Sequence, residues 1–487
     1  MTDLPMRFEP GAPHAERIIA LELNELCPEL LDRWMAQGRL PNFKALHEES
    51  AVHVTRADVE DSAQLEPWIQ WYSIHAGLPY EEHRVFHLTD GARAGHPDIY
   101  RMLIEAGRRV ASFASMNVAP FSAPGSVYLG DPWTEDGNAF PSELNIYNRF
   151  VSHNVREYSN AAGGLGKADQ ARFLAFMASH GLSARTISQI VAQLADEKLR
   201  DPGLAWKRVA LLDRLQFDVF RSTWRRHRPH YASFFANSVA HLQHSYWRHM
   251  APDAFIVRPD AREMALYGDA IRFGYEAMDK LVGEFRDFAR REGATLVFMS
   301  ALSQQPFLRH EETGGQHFHR LHEVRGFLKK AGIACADVDP TMTHQYLASF
   351  ADVAQKEAAR KRLSAFVLGG DGPEAGRAIF DFPAIEASGH GLYFGCQIAR
   401  KTAADTPVSD EAMGETLSFG SLFYQIEAIK SGRHHPDGCL WIQTGTHLRF
   451  EERCSILDIL PTLMEMLGLP APMGTRGASL LPQLTRA

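Results

Sequence analysis

Apolar positions along the chain follow two periods. Short continuous apolar runs read as buried strands, and stretches with apolar residues three and four apart read as helices. The first run lies in Arg17–Leu23, and PELLDRWMAQGRL after it sets Leu30, Leu31, Trp34 and Met35 on one helical stripe, stopped by Gly38 with Pro41 beyond. That is a strand-loop-helix unit. The same reading predicts strands at Ala51–Thr55 (a short edge strand), Arg108–Ser115, Tyr231–Asn237, Ala294–Ser300 and Cys439–Gln443. It predicts helices at Pro67–His75, Asp98–Ala106, Ala168–Arg228 with a break at Asp201-Pro202-Gly203, Ala261–Glu292 and Ser455–Leu469.

Strands alternating with helices predict an α/β fold, a mostly parallel sheet sandwiched by helices. Residues 303–430 are less regular and rich in turn residues and histidines, so they read as a smaller insertion or cap over the C-terminal edge of the sheet. The expected organisation is a flexible tail at 1–16, a core at 17–302, the insertion at 303–430 and the rest of the core at 431–487. A chain of 487 residues exceeds what one core usually fills, which agrees with a core carrying an insertion.

A net charge of −8 without a broad Lys/Arg cluster argues against a nucleic-acid polymer as partner and leaves a small anionic substrate as the expected one. The one basic run, RSTWRRHRPH at Arg221–His230, precedes a strand and reads as a solvated helix end. Five scattered cysteines without a CxxC pair give neither a disulfide framework nor a zinc ribbon. The N-terminal stretch lacks an apolar signal region, and no segment reaches roughly 18 uninterrupted apolar residues, so no membrane is expected and the location is expected to be cytoplasmic. Homo-oligomers are left open.

Candidate chemistry concentrates where strands end. The apolar run from Tyr231 empties into His241 and His244, and Arg433-His434-His435-Pro436-Asp437-Gly438 forms a second histidine-bearing loop before CLWIQ. Imidazoles beyond strand ends sit where open α/β sheets bind ligands.

Four stretches together resemble the alkaline phosphatase superfamily, on the branch with type I phosphodiesterases, nucleotide pyrophosphatases and sulfatases. They are Gly38-Arg39-Leu40-Pro41-Asn42, AGLPYEEHRVF at Ala76–Phe86, AHLQHSYW at Ala240–Trp247, and SILDILPTLMEMLGLPAP at Ser455–Pro472. The resemblance implies a hydrolase with two metal ions, usually zinc, around a Thr, Ser or modified Cys nucleophile. Residue by residue the chain departs from that pattern. The family's first-strand Asp falls on Asn24, its nucleophile on Pro67, its next Asp on Ala240, and its later Asp-His pair on Ala301-Leu302. His244 and His434 alone match. Two imidazoles and an amide cannot balance two divalent ions, so the resemblance implies a divergent member with most metal ligands and the usual nucleophile missing.

The neighbouring residues point to a rebuilt site. Glu66 stands beside the lost nucleophile position in QLEPWIQW, where Trp68, Gln70 and Trp71 form an aromatic, polar-tipped wall. Glu22 and Glu25 flank Asn24, and alternation sends Glu22 and Asn24 to one side of the strand. Glu66, His244 and His434 are the expected catalytic residues, with Asn24, Trp68, Gln70, His241, Gln305 and His390 expected to contact substrate. The same Glu66, His244 and His434 could hold one zinc or manganese ion with an open position for water. Without a metal, Glu66 is the base or nucleophile. Three functions follow: hydrolysis of a phosphorylated, sulfated or nucleotide-activated small molecule; ligand or partner binding without turnover; or group transfer or elimination on an anionic substrate. A working site requires at least one of Glu22, Glu25 and Glu66 to converge on His244 and His434.

Overall fold

The computed structural model describes residues 14–60, 64–88, 90–133, 138–158, 166–341, 344–372, 374–383, 389–409, 416–426 and 429–484. Its centre is a sheet of nine strands. These are β1 (Ile18–Leu23), β2 (Ser50–Arg56), β3 (Val110–Phe113), β4 (Val127–Leu129), β5 (Tyr231–Ala236), β6 (Thr295–Ser300), β9 (Asp437–Gln443), β10 (Leu448–Arg449) and β11 (Cys454–Ser455), while β7 (Ser303–Pro306) and β8 (Gly432–His435) pair separately. The spatial order is β10-β2-β9-β6-β1-β5-β3-β4, with β11 also on β2. Only β9 is reversed, lying antiparallel to β6 and β2. The expected α/β class, mostly parallel and covered by helices, is what the chain forms.

Side-chain alternation explains the two covered faces. On β1, Ile19, Leu21 and Leu23 enter one apolar cluster, whereas Ile18 and Ala20 enter the other. Because both faces are buried, the strands read as continuous apolar runs. Each fully buried Leu or Ile contributes roughly 1.5–3 kcal/mol relative to exposure. Helix α1 (Pro28–Ala36) buries the expected Leu30, Leu31, Trp34 and Met35, and Gly38 follows at φ +72°. Helix α2 (Pro67–Ala76) stops at Gly77, whose φ of +63° makes a left-handed cap.

Some expected elements are divided. The stretch from Ala168 breaks twice, at His180–Ser183 as well as near Pro202, because Gly181 turns left-handed and Ser183 caps a new helix, α3 (Ala184–Leu199). It ends in α4 (Val209–His227), and α5 (Ser238–Met250) follows β5. The predicted helix at Ala261–Glu292 is two, Ala261–Tyr267 and α6 (Ala270–Glu292), the first started by a capping box at Asp260. The Arg433-His434-His435 segment, read as a loop, is the strand β8, antiparallel to β7 with His434 opposite Gln304.

Between β7 and β8, strands Phe380–Asp381, Gly391–Cys396, Gln345–Ser349 and Asp337–Pro340 form a four-stranded antiparallel sheet in that order. This sheet has its own apolar cluster, including Phe327, Leu328, Phe380 and Phe394. It meets the core where Tyr393 stacks on His87 with ring centroids 4.0 Å apart. Most of the expected tail, residues 1–13, lies outside the described residues. Among the described residues, no helix is long and apolar enough to cross a membrane.

Candidate functional site

The parallel strands end together, and four connections emerging there bring charged groups to one place. Beyond β1 the chain turns at Glu25, which has φ +62° and is almost fully buried. A left-handed residue other than glycine costs on the order of 1–2 kcal/mol, so the surroundings must hold it. They hold it at each of its three oxygens. Asn24 Nδ2 donates to Glu25 Oε1 at 2.9 Å, Gln304 Nε2 donates to Oε2, and Gln243 Nε2 donates to the Glu25 carbonyl at 2.7 Å.

Two imidazoles close on the same carboxylate oxygen. His244 of α5 brings Nε2 within 3.1 Å of Glu25 Oε2, and His434 of β8 brings Nε2 within 3.6 Å. The second distance exceeds a hydrogen bond, and the buried His434 Nε2 has no hydrogen-bond partner among the described residues. On the other side of that ring, Nδ1 lies 3.4 Å from Glu66 Oε2. Glu66 precedes Pro67 at the start of α2, and its side chain does not cap the helix. Its carboxylate is therefore left to face His434.

The approach of β8 needs a glycine. A Cβ on Gly432 would lie 2.1 Å from Gln304 Oε1 and 2.6 Å from the Gln243 carbonyl. Ser431 then docks the strand on α5, its N–H donating to the His244 carbonyl at 2.9 Å.

The charges are coupled. Burial alone would raise the Glu25 carboxyl, but the His244 and His434 charges outweigh it and hold Glu25 well below the usual carboxylate range. Burial would lower His434, yet Glu25 and Glu66 leave it above the ordinary imidazole value. Burial raises Glu66 despite the opposing pull of His434, Lys430 and His244. His241, one turn before His244, is pushed down to about 4 by burial and by His244, which makes it a neutral imidazole at pH 7. Burial lowers Lys430, while Glu66 and Glu25 pull it upward.

Glu25, His244 and His434 each offer a ligating atom, and these atoms lie within 4.8 Å of one another. One carboxylate and two imidazoles fit a single divalent ion, with positions left for water or substrate. The two-ion arrangement that the resemblance implies does not fit, because positions 24, 240 and 301 hold Asn, Ala and Ala in place of carboxylates. The carboxylate completing the cluster is thus Glu25, whereas Glu66 reaches the far nitrogen of His434.

The other expected site residues divide into two groups. Asn24 is at the cluster, its amide oriented by Trp71, whose indole N–H donates to Oδ1 at 2.8 Å, so that Nδ2 is free for Glu25 and Asn237. Gln305 donates to the His434 carbonyl at 3.1 Å and thereby braces β8. Gln70 is fully buried with Oε1 accepting the Asp58 N–H, and Trp68 spends its indole N–H on the Phe86 carbonyl. The Trp68 indole is thus committed to the fold, whereas the Gln70 Nε2 is buried with no hydrogen-bond partner among the described residues. His390 is exposed on the turn before Gly391–Cys396, with its carbonyl accepting the Phe350 N–H, and Ala387 and Ser388 of its segment lie outside the described residues. Glu22 turns away from the cluster to His75 Nε2, at 3.0 Å.

Gln304, Asn237 and Lys430 were not among the expected site residues, and Trp71 was expected only as part of the wall beside Glu66. A sequence signal existed for Gln304, which stands where the resemblance implies a turn into the pocket; Asn237 and Lys430 become visible only through contacts between distant segments.

No protein-family model and no curated protein matches the chain. Among solved structures it is similar to the phosphonoacetate hydrolase of Sinorhizobium meliloti 1021, solved in complex with phosphonoacetate and with phosphonoformate. That likeness has 15% identity, covers 97% of this chain and 100% of the other, and has a TM-score of 0.40. A second similar structure is murine ectonucleotide pyrophosphatase / phosphodiesterase 5, at 9% identity over 96% of this chain and 99% of the other, with a TM-score of 0.39. Both likenesses are distant, and neither carries a substrate or a residue role to this chain.

Proposed function

We propose that this chain is an atypical hydrolase of the alkaline phosphatase superfamily that cleaves a phosphorylated, sulfated or nucleotide-activated small molecule at a one-ion site. The observation that supports it most is the convergence of Glu25, His244 and His434 within 4.8 Å, from segments far apart in the chain. The buried, partnerless Nε2 of His434 supports it further, since leaving such a nitrogen unsatisfied costs about 1–3 kcal/mol unless something binds there. Imidazole-rich donors favour zinc, with manganese as the less matched choice. A bound ion of this kind polarises an ester oxygen and lowers the pKa of its water to about 7.

The chain's own groups divide the remaining work. Glu25, pinned by Asn24 and Gln304, supplies the negative charge that balances the cation. Glu66 accepts the Nδ1 proton of His434 and so keeps Nε2 as the ligating tautomer, the role that outer carboxylates play for metal-bound histidines. Its pKa, raised by burial, also suits it to take a proton from an attacking water. Lys430 offers a positive charge to an anionic substituent. The metal-free alternative, binding or group transfer with Glu66 as base, is supported by the hydrogen bonds and ion pair that Glu25 already makes.

The test is turnover of a panel of aryl phosphate monoesters, phosphate diesters and sulfate esters with added zinc or manganese. Hydrolysis of at least one class is expected, reduced at least about 100-fold by Glu25→Gln and by chelation. Metal binding without turnover of any ester would contradict the hydrolase and leave the binding function.

A further inference from the structure

The basic run of α4, which reads in sequence as a solvated helix end, lines a cavity of about 420 Å³ together with Gly181, Asp218 and Ser222. Its volume falls within the range of small-molecule sites. Arg221 and Arg225, Ser222 and Arg225, and Ser222 and Arg226 are three or four residues apart, so they line one side of the helix. Three guanidinium groups thus line a cavity whose lining holds one carboxylate.

That carboxylate is already committed. Asp218 is fully buried, with one oxygen taking Arg221 at 2.6 Å and the other taking the Ser183 N–H at 2.9 Å. Outside the lining, Glu292 is shared by Arg225 and Arg228, and Glu143 serves Arg226. Four arginines therefore divide three carboxylates, leaving a net positive charge. Each guanidinium has five N–H donors, and the hydrogen bonds formed here occupy one apiece on Arg221, Arg225 and Arg226.

The arginines are also oriented in advance. Arg221 lies 4.9 Å from the centroid of the Phe217 ring, and Arg225 lies 5.6 Å from that of Phe288. Aromatic faces hold planar guanidinium groups and leave their edges for an anion. Gly181 keeps the rim narrow, since a Cβ there would sit 3.2 Å from the Asp218 carbonyl oxygen and from Ser222 Cβ, at a φ of +92°. The Arg225 and Arg226 charges complement the C-terminal end of the α4 dipole, but Arg221 lies more than a turn earlier, so the helix end does not account for the cluster.

We infer that this cavity is a second, anion-binding site, separate from the Glu25 cluster, that takes a small phosphate-class dianion through Arg221, Arg225, Arg226 and the Ser222 hydroxyl. Inorganic phosphate is the probe. Calorimetric titration at constant ionic strength, with chelator present, is made on the full chain, on the Arg225→Gln/Arg226→Gln double variant and on His244→Ala. Both arginine side chains are at least half exposed, so the double variant is expected to fold, which circular dichroism checks. Expected are one saturable phosphate per chain, at least about tenfold weaker binding in the double variant, and unchanged binding in His244→Ala. Absence of saturable binding, equal affinity in the double variant, or loss in His244→Ala would overturn the inference. Should the double variant not fold, Arg226→Lys replaces it, with weaker binding expected and unchanged affinity contradicting the site.

Discussion

Two glutamates three residues apart on the same strand end meet histidines in opposite ways. Glu22 lies within β1, buried with His75 between sheet and α2, one carboxylate to one imidazole at 3.0 Å and both at 2% exposure or less. Glu25 lies past the strand end and is shared by two imidazoles, of which His244 keeps 36% of its side chain exposed. The first is a closed pair that solvent and ligand cannot reach. The second is open and strained at its backbone; a buried imidazole nitrogen without a partner occurs in both, at His75 Nδ1 and at His434 Nε2, so it does not separate them. The same residue types therefore serve packing in one place and, in the proposed function, chemistry in the other, and access separates the two.

The largest effect is expected at the closed pair. Glu22→Ala leaves His75 buried without its partner and should cost about 3–5 kcal/mol, seen as a lower urea midpoint, with metal stoichiometry unchanged. Loss of metal in that variant, with normal stability, would erase the distinction between the two glutamates.

A smaller effect sharpens the open side. Glu66→Gln removes the acceptor of His434 Nδ1 and should weaken zinc about 10–100-fold by competition titration, leaving stability near wild type. Unaltered affinity would remove Glu66 from the site.

The smallest per pH unit concerns a closed histidine away from the cluster. Burial pushes His83 down to about 3, while its Nδ1 accepts the Val85 N–H. The folded state keeps this ring neutral where the unfolded chain, titrating near 6.5, takes a proton. Unfolding then binds more protons, so stability falls as pH drops from about 6.5 towards 3, by at most about 1.4 kcal/mol per unit from this group. Urea midpoints across that window should decline less steeply for His83→Gln; an identical slope would count against a buried neutral ring.

Much of the fold was legible because burial on both sheet faces writes itself as apolar runs. β1, α1, α2, β5 and β6 fall within a residue or two of the expected bounds. The divided helices were not legible, since apolar periodicity continued across His180–Ser183, where the break depends on the left-handed Gly181 and the Ser183 cap, and across Gly268. The site was legible in its imidazoles, which the resemblance marks at His244 and His434. It was less so in its carboxylate. Alternation along a strand predicts the side of Glu22 and Asn24 but says nothing of Glu25, whose direction is set by a left-handed turn beyond the strand. Gln70 and Trp68 read as a wall for substrate because their types suit one, and the Asp58 and Phe86 backbone groups that claim the Gln70 Oε1 and the Trp68 indole N–H lie 12 and 18 residues away.

The central claim is that Glu25, His244 and His434 form one metal-binding unit. Elemental analysis of the purified protein, alongside Glu25→Gln, His244→Ala and His434→Ala, tests it most directly. About one zinc or manganese per chain, lost in all three variants, is the predicted result. No stoichiometric metal in the wild type, even after reconstitution with zinc and manganese, would contradict it and return the cluster to metal-free acid-base chemistry or binding.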